Sequence, residues 1–221
     1  MKVLVIAPHM DDEVLGVGAT IARHVDAGDL VTVCVVANRA YGHRYDEALI
    51  AEELDAAHRA KSILGYQELH FLNLPDERLD GMLQDIIIPL EGVYDDTKPD
   101  VVYVNHHGDN NQDHQAVFRA ATVVCRPYGG SQLKSLYAYE VPSSTDQAPP
   151  LVANVFLPNR FVDISNYLER KLSAMRCYER ELRCFPHPRS IEGITVYARK
   201  RGSEAGMQAA EAFMVLRELC H

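Results

Sequence analysis

The chain has 221 residues, 47% hydrophobic and 24% charged, the proportions of an ordinary globular domain long enough for one well-buried core. Its formal net charge of -9 argues against a sequence-independent nucleic-acid binder, and no run of about 20 apolar residues is present to span a membrane. The cysteines are odd in number and form no C-x-x-C pair, which disfavours a disulfide framework or a cysteine metal site; with an N-terminal apolar run too short for a signal peptide, a cytoplasmic protein is expected.

Residues 3–7 form a short apolar, largely β-branched run stopped by Pro8, and they predict a buried strand. A helix over about 13–27 follows, ended by Gly28, and then a strand over 30–36. A second helix is expected over 46–64 with Gly65 at its C-cap, then a strand over 68–72 and a helix over 82–94 bent at Pro89. A strand over 101–105 and a helix after His114 repeat the pattern. This alternation implies a single α/β domain, a Rossmann-like and mostly parallel sheet flanked by helices with right-handed crossovers. The rest is less regular. A strand over 134–139, short strands at 151–156 and 161–164, a helix over 165–182 with Leu168, Leu172, Met175 and Tyr178 as a core stripe, and a last helix over 207–219 are expected.

The chemistry-bearing residues gather at two strand-to-helix junctions. Pro8-His9-Met10-Asp11-Asp12-Glu13 follows the first predicted strand, at the carboxyl edge where open α/β sheets bind ligands. Acids at this place serve equally well to cap the following helix. The balance shifts with a second cluster, Asn105-His106-His107-Gly108-Asp109-Asn110-Asn111-Gln112-Asp113-His114, at the end of strand 101–105. A parallel sheet puts both junctions on one edge. His9, Asp12 and His114 would then give two imidazoles and a carboxylate, three protein ligands with a position left for water, as in catalytic zinc sites. Iron or cobalt would suit the same donors. Asp11 remains beside them as a base.

With these residues the chain resembles the LmbE/PIG-L-type metal-dependent N-deacetylases. The likeness rests on Pro8-His9-Met10-Asp11-Asp12-Glu13 and on Asp113-His114, with softer similarity at Tyr139-Glu140-Val141-Pro142-Ser143-Ser144-Thr145, Pro186-His187-Pro188-Arg189-Ser190, Arg201-Gly202-Ser203-Glu204 and Glu211-Ala212-Phe213. It implies that His9, Asp12 and His114 ligate zinc and that Asp11 is the general base. It also implies an N-acetylated amino sugar or sugar conjugate as substrate, and it is compatible with a homo-oligomer. One position departs. Where many members have the first histidine of an H-x-x-H, this chain has Asn111, whose amide can donate a hydrogen bond to an oxyanion but cannot supply a proton. His106 and His107 are further candidates for that task.

Ligating histidines usually hand their second ring N–H to a carboxylate or carbonyl, which makes Asp113 a supporting residue, whereas Asp109 reads as a solvated loop acid. Residues 39–45 carry Arg39, Arg44 and aromatic rings to the same edge, and Arg44 is the substrate-binding candidate. The polar loop over 142–150 is either a rim of the pocket or a plain connection. Gly16-Val17-Gly18 lies inside a helix rather than in a first turn, so close packing explains it better than dinucleotide binding. His24 and His58 read as surface residues, and His70 as a satisfied core histidine. Three other functions compete: an amidase on another N-acyl compound, a non-catalytic metal or sugar binder, and a nucleotide-dependent oxidoreductase. The spare Asp11 argues against the binder, and the absence of a Gly-rich first turn argues against the oxidoreductase.

Overall fold

A computed structural model describes residues 1–38, 47–128 and 132–220. Its core is a seven-stranded sheet in the order β3-β2-β1-β4-β5-β7-β6. The strands are β1 (Lys2–Ala7), β2 (Leu30–Asn38), β3 (Glu68–Pro75), β4 (Val101–Asn105), β5 (Ser135–Tyr139), β6 (Arg160–Asp163) and β7 (Ala210–Glu218). β1 to β5 pair in parallel, whereas β7 runs antiparallel between β5 and β6. The helices are α1 (Asp12–Asp26), α2 (Glu47–Leu64), α3 (Leu83–Thr97), α4 (Gln112–Val124), α5 (Leu168–Met175) and α6 (Ile191–Ala205). The parallel, two-faced sheet expected from the alternation is therefore present.

β1 and β4 are buried along nearly their whole length, which is why they read as continuous apolar runs rather than as alternating ones. Alternate residues still divide between two cores. Val3, Val5 and Ala7 join α1, α2, α5 and α6 on one face, while Leu4 and Ile6 join α3 and α4 on the other. β2 and β3 are added on one side of β1 and β4 and β5 on the other, so the strand order reverses at β1, and the crevice above β1 and β4 is the switch point of the sheet.

Helix α1 lies very close to the sheet. A Cβ on Gly16 would fall 2.1 Å from Cδ2 of Tyr139, whose hydroxyl donates to the Ile6 carbonyl at 2.8 Å. Packing is thus the explanation of Gly16. In mid-helix, Glu211 of β7 accepts from the backbone N–H groups of Ala19 and Thr20 at 3.0 and 2.7 Å, and Lys171 of α5 donates to the Leu15 carbonyl at 2.7 Å. An uninterrupted helix would pair Ala19 with Leu15. Lys171 and Glu211 also meet each other at 2.6 Å, both buried. The pair locks α1 to the antiparallel part of the sheet.

The C-terminal third differs from the expected elements. Residues 207–219 contain the strand β7, not a helix; Ala, Glu, Met and Leu favour helix, but the slot between β5 and β6 decides the outcome. The helix precedes it as α6, capped by Ser190 Oγ, which accepts from the Gly193 N–H, and ended by Gly206 at φ 71°. Its polar sequence buries only a narrow stripe, so periodicity did not reveal it. Residues 151–156 hold a short 3-10 turn, Val152–Asn154, instead of a strand. The helix expected over 165–182 is confined to α5, and Tyr178 beyond its end belongs to the core as expected. His70 is exposed on β3, and His24 is half-buried rather than on the surface; His58 is exposed. All cysteines are free, with Cys34 and Cys125 buried.

Candidate active site at the switch point

β1 ends at Ala7 and β4 at Asn105, and the two junctions that follow bring His9 from the first loop, Asp12 from the start of α1 and His114 from the first turn of α4 to one point. His9 Nδ1 lies 3.2 Å from His114 Nε2 and 3.4 Å from Asp12 Oδ2, which in turn lies 3.2 Å from His114 Nε2. Donors of a tetrahedral ion with bonds of about 2.0–2.1 Å stand about 3.3 Å apart, so this triangle matches one face of such a site. Asp12 Oδ1 is buried without a hydrogen-bond partner among the described residues, a group that a cation would satisfy. The donor set therefore fits a divalent metal.

Both imidazoles are turned by carboxylates behind them. Asp113 Oδ2 lies 3.0 Å from His9 Nε2, and Asp109 Oδ2 lies 3.1 Å from His114 Nδ1. The His9–Asp113 contact is a hydrogen bond that leaves Nδ1 with its lone pair toward the centre, and the Asp109 carboxylate stands beside His114 Nδ1 as a charge partner. Asp113 itself accepts from the Glu77 and Leu79 N–H groups at 2.6 and 3.0 Å, tying α4 to the segment after β3. Asp109 is not the solvated acid expected from the sequence. It is 1% exposed and accepts from Ser144 Oγ, from Thr145 Oγ1 at 2.8 Å and from the Asn111 N–H at 2.9 Å.

The electrostatics favour a positive charge at the centre. Burial alone would lower His114, yet the Asp12 and Asp109 carboxylates push it up to about 10. Burial would raise Asp12, but the two imidazoles hold it well below the usual carboxylate range. Asn is predicted to be a poor substitute at Asp109. An Asp109→Asn variant is expected to lose about 10–100-fold in metal affinity, measured by competition with a chromogenic chelator, because His114 loses its orienting anion.

Asp11 is the N-cap of α1 by position but makes no side-chain cap hydrogen bond. Its carboxylate instead faces Arg189, with Oδ2 3.0 Å from Nη1. This separates Asp11 from the helix-capping role that its sequence position also allowed. Its backbone sits at φ 100°, a conformation that non-glycine residues seldom adopt and that is held here by the Asp11 N–H donating to Glu13 Oε2 at 3.1 Å. Tyr178 donates to the other Glu13 oxygen at 2.7 Å. Burial raises the Asp11 carboxyl well above its usual range, with Arg189 pulling it down and Asp12 pushing it further up.

Arg189 escaped the residue-by-residue reading of the sequence. It lies between β6 and β7, far along the chain, and was visible only as part of Pro186-His187-Pro188-Arg189-Ser190. Its Nη1 also meets Glu181 at 2.9 Å, and its Nε donates to Ser143 Oγ at 2.7 Å. Ser143 brings the loop over 142–150 to the site, which makes that loop more than a connection. Asn111 caps α4, its Oδ1 accepting from the Asp113 N–H at 2.8 Å. His106 and His107 turn away to the carbonyls of Asn154 and Ala153, at 3.0 and 2.7 Å. Arg44 and the rest of 39–46 lie outside the described residues.

A parallel α/β sheet with a His-Asp-His donor set and a spare carboxylate at its switch point defines an α/β domain of the kind that carries a divalent ion at its carboxyl edge. The model of the family described as PIG-L, GlcNAc-PI de-N-acetylase, matches residues 4–125. YaiS of Escherichia coli K12, an uncharacterised deacetylase, is 31% identical over 180 residues, covering 79% of this chain and 88% of that protein. The diacetylchitobiose deacetylase of Thermococcus kodakarensis is 27% identical over 187 residues, 80% of this chain and 69% of its own length. Among solved structures, GalB of Pseudomonas putida, a 4-carboxy-2-hydroxymuconate hydratase, superposes with a TM-score of 0.78 at 22% identity, covering 100% of this chain and 98% of that one. The chain belongs to the PIG-L family of de-N-acetylases.

Proposed function

We propose that this protein is a zinc-dependent N-deacetylase that hydrolyses the acetamide of a small N-acetylated amino sugar or sugar conjugate. The observation that carries the reading is Asp11: a buried carboxylate next to the three-donor group, oriented by Arg189 and not used as a helix cap. The amino-sugar class is supported by the diacetylchitobiose deacetylase among the relatives. A divalent ion held by His9, Asp12 and His114 supplies Lewis acidity and lowers the pKa of water there.

The residues of the chain do the proton work and the positioning. Asp11 accepts the proton of the attacking water and returns it to the amide nitrogen as the C–N bond breaks, giving acetate and a free amine. Burial makes Asp11 a better base than an exposed carboxylate, and Arg189 fixes its plane through Oδ2. Asp109 and Asp113 keep the far ring protons of His114 and His9 in place throughout. Asn111, with Oδ1 engaged in its cap, has the Nδ2 hydrogens left to donate toward the developing oxyanion. The loop over 142–150, bound to Arg189 through Ser143, forms one rim of the substrate cleft, and Arg44, outside the described residues, is the proposed sugar contact.

The likeness to GalB favours one other water-using reaction on this fold, hydration of an unsaturated acid. Acetate release from a panel of N-acetylated amino sugars decides between them, with protein compared before and after chelator treatment and after zinc is restored. Acetate production that disappears with chelator and returns with zinc is the expected outcome. No acetate from any compound, together with loss of absorbance from an unsaturated dicarboxylate, would replace the deacetylase reading.

A further inference from the structure

The far edge of the sheet, away from the two junctions, carries a second cavity of about 240 Å³. It lies where the last turns of α1 meet the start of β1, Tyr103 of β4 and the edge strand β6. Its polar lining is Thr20, Arg23, His24, Asp29, Tyr103 and Arg160. Two polar atoms here are buried without a partner among the described residues, Thr20 Oγ1 and Arg160 Nε, and Thr20 is only 1% exposed. The Arg160 guanidinium is held in place by stacking, its Cζ 4.5 Å from the centre of the Tyr137 ring. Buried donors left unmet in this way are uncommon in folded proteins.

The charges of the cavity leave the guanidiniums available. Asp29 is already engaged by His24 Nδ1 at 2.7 Å and by the Met1 nitrogen at 2.5 Å, and His24 Nε2 lies 3.1 Å from the Tyr103 hydroxyl. Of the other nearby carboxylates, Asp163 is exposed and accepts from the N–H and hydroxyl of Ser165, and Glu211, 2.7 Å from the Thr20 N–H, is neutralised by Lys171 at 2.6 Å. The carbonyls of the last turn of α1 are met by the N–H groups of Ala27, Gly28 and Asp29. Arg23 and Arg160 make no ion pair among the described residues. Burial lowers His24, and both guanidiniums push it the same way against Asp29, so the positive charge of the cavity rests with the guanidiniums and not with the imidazole. In a chain of formal net charge -9, this is a locally positive, half-enclosed space.

We propose that this cavity binds a small oxyanion, a carboxylate or a phosphate, through Arg160 and the Thr20 hydroxyl, with Arg23 at its mouth. A planar guanidinium beside a hydroxyl suits the two oxygens of either group. The Tyr103 ring and Val162 offer an apolar wall for a short carbon body. The site is separate from the donor group and does not depend on the reaction performed there.

Isothermal titration of the protein with inorganic phosphate and, separately, with acetate tests this. Saturable binding of at least one ion in the millimolar range is expected. It should weaken at least about tenfold in Arg160→Gln, the loss of one charge-assisted contact, and severalfold in the near-isosteric Thr20→Val. Asp11→Asn should leave it unchanged. Thermal melts show whether each variant folds, and if Arg160→Gln does not, Thr20→Val and Arg23→Gln decide. Absence of saturable binding to the unaltered protein overturns the proposal. So does wild-type affinity in the folded variants, or loss of binding in Asp11→Asn, which would place the anion at the catalytic edge.

Discussion

Asp11→Asn is expected to lower kcat for deacetylation by about 10²–10⁴-fold while metal content stays at the level of the unaltered protein. Asn has nearly the shape of Asp but cannot accept a proton at neutral pH. It is also tolerated at positive φ better than most residues, so the strained turn at φ 100° should survive the change. Arg189 loses one anion but keeps Glu181 at 2.9 Å, so no isolated buried charge is created. Metal binding should persist because the donor atoms belong to His9, Asp12 and His114. Steady-state kinetics with metal analysis of the same samples checks both halves. Unaltered turnover would remove Asp11 as the base, and loss of metal would show that its role is to shape the donor group.

Lys171→Met is expected to destabilise the fold by about 3–5 kcal/mol, the usual effect of leaving one member of a buried ion pair alone. Glu211 would keep its contacts to Ala19 and Thr20 but would hold an uncompensated charge with 5% residue exposure. The Leu15 carbonyl would also lose its donor. Replacing both residues, as Lys171→Met with Glu211→Gln, should recover a substantial part of the loss, since no buried charge remains. Urea unfolding midpoints of the two single variants and the double variant measure the coupling. A loss in the double variant equal to the sum of the two single losses would show that the pair is not coupled. The effect reaches the site because Asp12 and Glu13 open the same helix that this pair anchors.

The strands and helices that build the switch point were legible because each has a strong local signal. β1, β2 and β4 are continuous apolar runs, and α1, α2 and α4 begin or end at Pro, Gly or acidic residues. His9, Asp12 and His114 could be named for the same reason, since each lies at the junction between a recognisable strand and the helix that follows it. β7 was misread because its residues favour helix when considered locally, and only pairing with β5 and β6 makes them a strand.

The amino-acid sequence by itself determined the mostly parallel α/β scaffold and the edge at which His9, Asp12 and His114 gather, because hydrophobic period and strand-end motifs are local properties. Only the tertiary structure decided how those donors are supported. Asp109 became a buried partner of His114 because the loop after β5 folds over it, and Asp113 serves His9, 104 residues away, rather than the adjacent His114. Arg189 reaches Asp11 across 178 positions of sequence, a contact that no periodicity encodes. Such contacts depend on which segments the assembled sheet brings side by side.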